Sequence, residues 1–262
     1  MTAGKQELLL ERLDAIGTSL ARSGNGLALL GLGSAGLELE RLDQYSDLDF
    51  FAIVETGHKN EYLENLAWLS SVCPIAFTYR NTCDGYKLLF QDGVFCEFAV
   101  FETPELRHIP FAPGRIVWKK DDIPETLLLP EPDLYRPADH SIEWLVGEVL
   151  TNLYAGLSRN SRGEKLSAMR FIQVHAVDRL LELSAGFETA ASAARDLFAF
   201  ERRFERRYPV SARALPQFIQ GYERNIESAL SILAFLENHV EVNPAMKRAI
   251  EDLCNGIPRG VK

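Results

Sequence analysis

Two aspartates, Asp47 and Asp49, stand one residue apart where the chain turns apolar, and Phe50-Phe51-Ala52-Ile53-Val54 follows them. In a strand successive side chains alternate faces, so Asp47, Asp49 and Phe51 share one face and Leu48, Phe50 and Ala52 the other. Two carboxylates one pleat apart repel each other unless a cation lies between them. Hard oxygen donors in that geometry suit Mg²⁺, which takes one or two carboxylates plus substrate phosphates. Separated from Asp47 by twelve residues, Gly33-Ser34 closes an earlier apolar run, Leu27-Ala28-Leu29-Leu30-Gly31-Leu32. A residue without a Cβ at that point lets phosphate approach bare backbone N–H groups. An isolated Asp-x-Asp is usually a solvated strand start or a turn cap. Strand, Gly-Ser, spacer and then Ser46-Asp47-Leu48-Asp49 opening a second strand is far more specific.

A third acid is anomalous in its setting. Glu97 sits in Val94-Phe95-Cys96-Glu97-Phe98-Ala99-Val100-Phe101, where the other seven residues are apolar. Burying a lone ionised carboxylate is costly, so Glu97 must be neutral, paired or near a cation. A strand with one exposed face would also accept it, but that face then shows Phe95 and Ala99, and we read Glu97 as a functional acid. Among the basic residues, Arg159, Arg162 and Lys165 form the best cluster, at the start of a helical stretch. They either bind a triphosphate or form a solvated helix end. Arg202-Arg203 and Arg206-Arg207, interleaved with Glu201 and Glu205, read as an exposed face of i,i+4 pairs. His108, His140 and His175 lack the spacing of a metal or triad site.

The elements that must carry these residues follow from periodicity and punctuation. Residues 5–22 place Leu9, Leu13, Ile16 and Leu20 at helical spacing, and Ser23-Gly24-Asn25-Gly26 stops the helix. The helix is expected beneath the first strand. Residues 58–72 read as one amphipathic helix with a core Trp68. Ile75 to Tyr79 is a strand, and Tyr86 to Phe90 forms a hairpin with the Glu97 strand through Gln91-Asp92-Gly93. Thr103 and Pro104 read as the N-cap and first position of a helix, and Arg115 to Trp118 as a short edge strand. Pro124, Pro130, Pro132 and Pro137 crowd into fourteen residues, which places a domain boundary near 136. Beyond it the pattern is helical, over about 139–157, 164–184, 188–207, 212–239 and 244–254. Ser211 and Asn243-Pro244 are the expected starts of the last two. The expected architecture is α/β (α+β): a mixed sheet with helices over 1–135, then a helical bundle over 136–262.

Size and composition narrow the function classes. The 262 residues are 47% hydrophobic and 25% charged, values of an ordinary globular protein. No apolar run approaches the roughly 18 residues that span a bilayer, and Met1 to Glu7 lacks the order of a signal peptide. Cys73, Cys83, Cys96 and Cys254 show no zinc spacing and read as reduced packing residues of a cytoplasmic protein. The net charge of −9 argues against nonspecific nucleic-acid binding. Residues 1–135 carry 11 basic and 21 acidic residues, and 136–262 carry 17 and 16. The acids therefore gather in the half that holds the proposed metal site, although an acidic solubilising surface would give the same numbers.

These motifs resemble the signature of the DNA polymerase beta-like nucleotidyltransferase superfamily. With Glu97 and the helical second half, the whole chain looks like the bacterial antibiotic nucleotidyltransferases, nearest the lincosamide enzymes, with the aminoglycoside adenylyltransferases more distant. Tyr45-Ser46-Asp47-Leu48-Asp49-Phe50, Trp68-Leu69, the Gly93 to Phe98 strand, His108-Ile109-Pro110 and Arg162-Gly163-Glu164 are similar to theirs. The spacer between Ser34 and Asp47 is slightly longer here, with Leu37, Leu39 and Leu42 in it.

The resemblance implies transfer of a nucleoside monophosphate from a nucleoside triphosphate, ATP for instance, to a substrate hydroxyl, with pyrophosphate leaving. Gly33 and Ser34 would hold the triphosphate, helped by Arg162 and Lys165. Asp47 and Asp49 would bind Mg²⁺, and Glu97 would be the general base or a further metal ligand. The expected partners are the triphosphate and a small, hydroxylated, cationic acceptor such as an antibiotic. Neither nucleic acid nor membrane is expected, and a homodimer is left open. The acceptor would lie between the acidic first domain and the bundle.

Three other readings stay open. A nucleic-acid enzyme of the same superfamily would need a basic stripe, which the sequence does not offer. A non-catalytic module would have no need of all three acids. An enzyme that adenylylates a protein would usually be smaller than this chain.

Overall fold

The computed structural model describes residues 4–131, 140–191, 196 and 199–256. The chain forms two compact units, Met1–Arg136 and Pro137–Lys262. The expected boundary near 136, with Pro132 and Pro137, falls outside the described residues.

In the first unit, α1 (Lys5–Arg22) buries the stripe that its periodicity predicts: Leu9, Leu13, Ile16 and Leu20 are wholly inaccessible. Each such side chain contributes about 1.5–3 kcal/mol by leaving water. The strands are β1 (Gly26–Leu32), β2 (Leu48–Val54), β3 (Ile75–Arg80), β4 (Gly85–Phe90), β5 (Phe95–Glu102) and β6 (Arg115–Lys119). They form one sheet in the order β3-β4-β5-β2-β1-β6. The β2–β5 pair is parallel and the other pairs are antiparallel, so the sheet is mixed as expected.

Strand alternation divides the sheet's side chains between two cores. Leu29, Leu48, Phe50, Ala52, Leu88, Cys96 and Phe98 pack with α1 and with Tyr62 and Trp68. The Trp68 ring meets Phe50 and Phe98 edge-on, at centroid separations of 6.4 and 5.7 Å. On the opposite face Ala28, Leu30, Ile53 and Phe101 pack with Leu106, Phe111 and Leu128 from the segment after β5. Asp49 and Glu97 belong to that second face, near the beginnings of β2 and β5, and stay partly exposed.

Two local readings change. The single helix expected over 58–72 is two short ones, α2 (Lys59–Glu64) and α3 (Ala67–Ser70). Asn65 between them is extended, and its side-chain oxygen accepts the Ala67 N–H, which competes with helix continuation. Tyr62 and Trp68 are core residues all the same. At the short helical turn Thr103–Arg107, Glu102 rather than Thr103 is the N-cap. Glu102 and Glu105 form a reciprocal capping box.

The second unit is helical. It contains α4 (Ile142–Ser161), α5 (Lys165–Met169), a π-helical stretch Arg170–Ala176, α6 (Val177–Phe187), α7 (Phe204–Arg207), α8 (Leu215–Phe218), α9 (Asn225–Glu237) and α10 (Pro244–Cys254). The Ser141 side chain caps α4, and Asn243 caps α10 through the N–H groups of Ala245 and Met246. The helix expected over 188–207 is present among the described residues only as α7. The one expected over 212–239 is interrupted. Gly221 adopts φ +95° between α8 and α9, and Ser211 bonds to Glu188 instead of capping a long helix.

The arginine run at 202–207 is not a solvated face throughout. Arg207 is 2% exposed, with its guanidinium over the rings of Phe200 and Tyr208. Among the described residues no helix is long and apolar enough to cross a membrane.

Candidate active site

Register places the chemistry-bearing residues in one row across the sheet. Tyr79 on β3 pairs with Lys87 on β4, Lys87 with Glu97 on β5, Glu97 with Asp49 on β2, and Asp49 with Leu32 on β1. Directly paired residues project from the same face, so all five line one open row. Neighbouring strands lie about 4.8 Å apart, so Asp49 and Glu97 leave adjacent strands from the same face.

Gly33 follows Leu32 at the end of this row. Its φ of +54° is left-handed, and an ideal Cβ built on it would stand 2.8 Å from Asp49 Oδ2. Glycine therefore does two things here. It lets the chain leave β1 in a left-handed turn, and it leaves space directly against the Asp49 carboxylate. Ser34 is the middle residue of the one-turn helix Gly33–Ala35. Arg115 on β6 braces this turn, its Nε donating to the Ala35 carbonyl at 3.3 Å.

Asp47 lies one residue outside the ladder, because β2 begins at Leu48 rather than at the first acid. The turn before it is tied together at Asp43, whose side chain accepts from Tyr45 N–H and Ser46 O–H. Asp47 is exposed. Burial pushes the Cys96 thiol well up. Arg12 opposes the shift, and Asp47, Asp49 and Asp92 add to it. Both aspartates thus bear on the start of β5 from the β2 side.

Glu97 is paired on both carboxylate oxygens. Its Oε1 accepts from Asn81 Nδ2 at 2.9 Å, and its Oε2 lies 3.1 Å from Lys87 Nζ. The bond to Glu97 and its charge raise the Lys87 pKa, with smaller contributions from Tyr79 and Asp49 and an opposing one from burial. Both partners are about two-fifths exposed, 40% for Lys87 and 44% for Glu97, so solvent screens the pair and it orients Glu97 more than it stabilises the fold. Asn81 is held at a cost. Its Oδ1 is buried without a hydrogen-bond partner, a situation worth about 1–3 kcal/mol of desolvation. Turning the amide over would set its oxygen against the Glu97 carboxylate.

Among the described residues no group of three or more His, Cys, Asp or Glu is gathered closely enough to hold a metal ion. Asp47 and Asp49 still fit Mg²⁺ by donor chemistry. Two hard carboxylates with phosphate oxygens make up an ordinary shell for that ion, and the missing Cβ at Gly33 leaves the space beside Asp49 Oδ2.

Arg162 and Lys165 belong to the second unit. Arg162 follows α4 and is exposed. Lys165 pairs with Glu223 at 2.5 Å, and its ammonium lies 6.0 Å from the Tyr222 ring centroid. Arg159 is engaged within its own unit, bonded to Ser167 Oγ at 2.6 Å and stacked over Phe171.

The residues that sequence reasoning missed are Lys87 and Asn81. A signal for Lys87 was present. It is the one charge in Tyr86-Lys87-Leu88-Leu89-Phe90, and the hairpin closes with the Phe90 N–H bonded to the Val94 carbonyl. Counting back from that turn puts 87 opposite 97. Asn81 lies in a turn, where no pattern marks it.

No protein-family profile matches the chain, and no curated protein does either. Among solved structures, an aminoglycoside 6-adenyltransferase from Bacillus subtilis is similar at 15% identity over 98% of this chain and 100% of that one, with a TM-score of 0.37. The STING-associated CdnE c-di-GMP synthase from Capnocytophaga granulosa is similar at 12% identity over 97% of this chain and 81% of that one, with a TM-score of 0.31.

Proposed function

We propose that the protein is a Mg²⁺-dependent nucleotidyltransferase that moves a nucleoside monophosphate from a nucleoside triphosphate to a hydroxyl of a small molecule and releases pyrophosphate. The observation that carries this reading is the placement of Gly33 against Asp49, with Glu97 as the next residue in the row. That juxtaposition offers a phosphate-accepting turn, a metal-binding carboxylate and a proton acceptor within neighbouring strands.

Asp47 and Asp49 would hold the Mg²⁺ ion, which when bound neutralises charge on the phosphate oxygens. The open left-handed turn at Gly33-Ser34 presents backbone N–H groups to the triphosphate. Glu97 takes the proton from the acceptor hydroxyl. The freed oxygen forms its bond to the α-phosphorus as the bond from that phosphorus to the bridging oxygen of pyrophosphate breaks. A carboxylate base must reach the hydroxyl proton directly, and the parallel β2–β5 register pairs Glu97 with Asp49, the acid proposed to hold the metal.

The acceptor class rests on charge and resemblance. The acidic balance of residues 1–135 favours a cationic acceptor, and an antibiotic of the lincosamide or aminoglycoside type is the reading we adopt. Arg162 and Lys165 remain proposed triphosphate ligands. The test is to incubate the protein with Mg²⁺ and each nucleoside triphosphate and to offer lincosamides, aminoglycosides, short RNA and a protein lysate. Mass spectrometry then looks for a nucleoside monophosphate adduct. Labelled RNA or protein, with every small molecule untouched, would overturn the acceptor class.

A further inference from the structure

Within the nucleotidyl-transfer reading, Glu97 could serve as a third metal ligand or as the base, and its surroundings separate the two. Each of its carboxylate oxygens is held by a different strand or turn: Oε1 by the Asn81 amide in the β3–β4 turn, Oε2 by the Lys87 ammonium on β4. Lys87 is carried by β4 and Asn81 follows β3, whereas Asp49 is on β2, so the partners and Asp49 start from opposite flanks of β5. Each oxygen keeps a second lone pair, so the carboxylate still accepts a proton. What it loses is the freedom to swing across the row toward the metal-holding acids.

We propose that Lys87 and Asn81 are positioning residues that keep Glu97 out of the metal's ligand set and present it as the base. The orientation of Asn81 agrees with this division: it leaves its own oxygen buried and without a partner while its amide N–H serves Glu97. The metal is then held by Asp47 and Asp49 with the phosphates, and Glu97 faces the acceptor.

The proposal rests on the function proposed above, and its test keeps the two apart. Asn81→Ala and Lys87→Met each release one oxygen of Glu97, and Asn81→Ala does so without changing any charge. Mn²⁺ binding is followed by electron paramagnetic resonance in the presence of the α,β-methylene analogue of whichever triphosphate the wild-type protein transfers. Turnover is measured in parallel. The expected result is opposed movement: kcat falls roughly 10- to 100-fold from misplacement of the base, while Mn²⁺ binds tighter by on the order of 3- to 10-fold as a third carboxylate joins it. Adding Glu97→Gln to either variant removes the tightening, and Glu97→Gln alone leaves Mn²⁺ binding at the wild-type level. A simple loss of local order would weaken the metal site rather than strengthen it.

Mn²⁺ affinity unchanged or weaker in both single variants overturns the positioning role. Weaker Mn²⁺ binding in Glu97→Gln alone overturns it too, by showing that Glu97 is already a ligand. If the wild-type protein neither transfers a nucleotide nor binds Mn²⁺ with the analogue, the nucleotidyl-transfer reading itself fails and carries this one with it.

Discussion

Gly33→Ala is the most informative single change, because the structure gives two separate consequences for one methyl group. The first is conformational. Gly33 has φ +54°, a left-handed geometry that costs a residue with a Cβ about 1–2 kcal/mol. At roughly 4 °C per kcal/mol for a unit of this size, the melting temperature falls by about 4–8 °C. The second is steric. The new Cβ would stand 2.8 Å from Asp49 Oδ2, closer than such atoms approach, so the carboxylate must swing away. Its displacement is a few tenths of an ångström to an ångström, and misplacement on that scale costs about 10²-fold in rate.

Strain and displacement are separated by a matched control. Gly57 also has a positive φ, +89°, but a Cβ there would meet nothing within 4 Å. Gly57→Ala therefore loses at least as much stability and keeps its turnover. The assay is pyrophosphate release with saturating Mg²⁺ and triphosphate, beside thermal melts of both variants. Turnover in Gly33→Ala no lower than in Gly57→Ala would falsify the argument that Asp49 works against this turn.

Other outcomes follow from the same row and from one half-buried acid. Asp49→Asn abolishes transfer while the far-ultraviolet circular dichroism is retained; joint loss of fold and activity would mean a structural role. A nucleoside triphosphate at about a hundred times its dissociation constant stabilises by roughly 2.7 kcal/mol, and only with Mg²⁺ present; an equal shift in chelator would remove the metal from the binding reaction. Glu97→Gln lowers turnover by roughly two to four orders of magnitude, with triphosphate binding little changed. In the second unit, burial pushes the Asp178 carboxyl up, with Glu201 and Glu182 adding to the shift and Arg179 and His175 opposing it. An acid whose folded pKa is raised destabilises the fold above that pKa, and the penalty disappears below its unfolded value. Asp178→Asn is therefore more stable than wild type at about pH 7, and its advantage shrinks toward about pH 4, as urea midpoints at the two values would show.

The sequence carried the first unit better than the second for a physical reason. Strand alternation and the α1 stripe are short-range patterns tied to a single buried face, and Leu9, Leu13, Ile16 and Leu20 lie where that pattern puts them. In the second unit the apolar residues are dense enough to suggest long helices, while Gly221 and the Ser211–Glu188 bonds break them through tertiary contacts. Arg207 shows the same limit. Its place in a run of alternating charges suits a solvated face, yet Phe200 and Tyr208 offer its guanidinium two rings and enclose it.

The row itself was half legible. Asp49 and Glu97 stand out because a charge within an apolar strand must be explained, and that reasoning applies to one strand at a time. Lys87 is what explains Glu97, and finding it needs the pairing between strands. Pairing depends on hairpin register: a slip of one residue in the Gln91-Asp92-Gly93 turn would send Lys87 to the opposite face and leave Glu97 facing Leu88 or Tyr86. The Gly93 φ of +83° and the bond from the Phe90 N–H to the Val94 carbonyl set the actual register. The turn therefore does more than join two strands. It brings a cation to the one carboxylate of β5 that lies beside Asp49, and so decides which way that carboxylate is held.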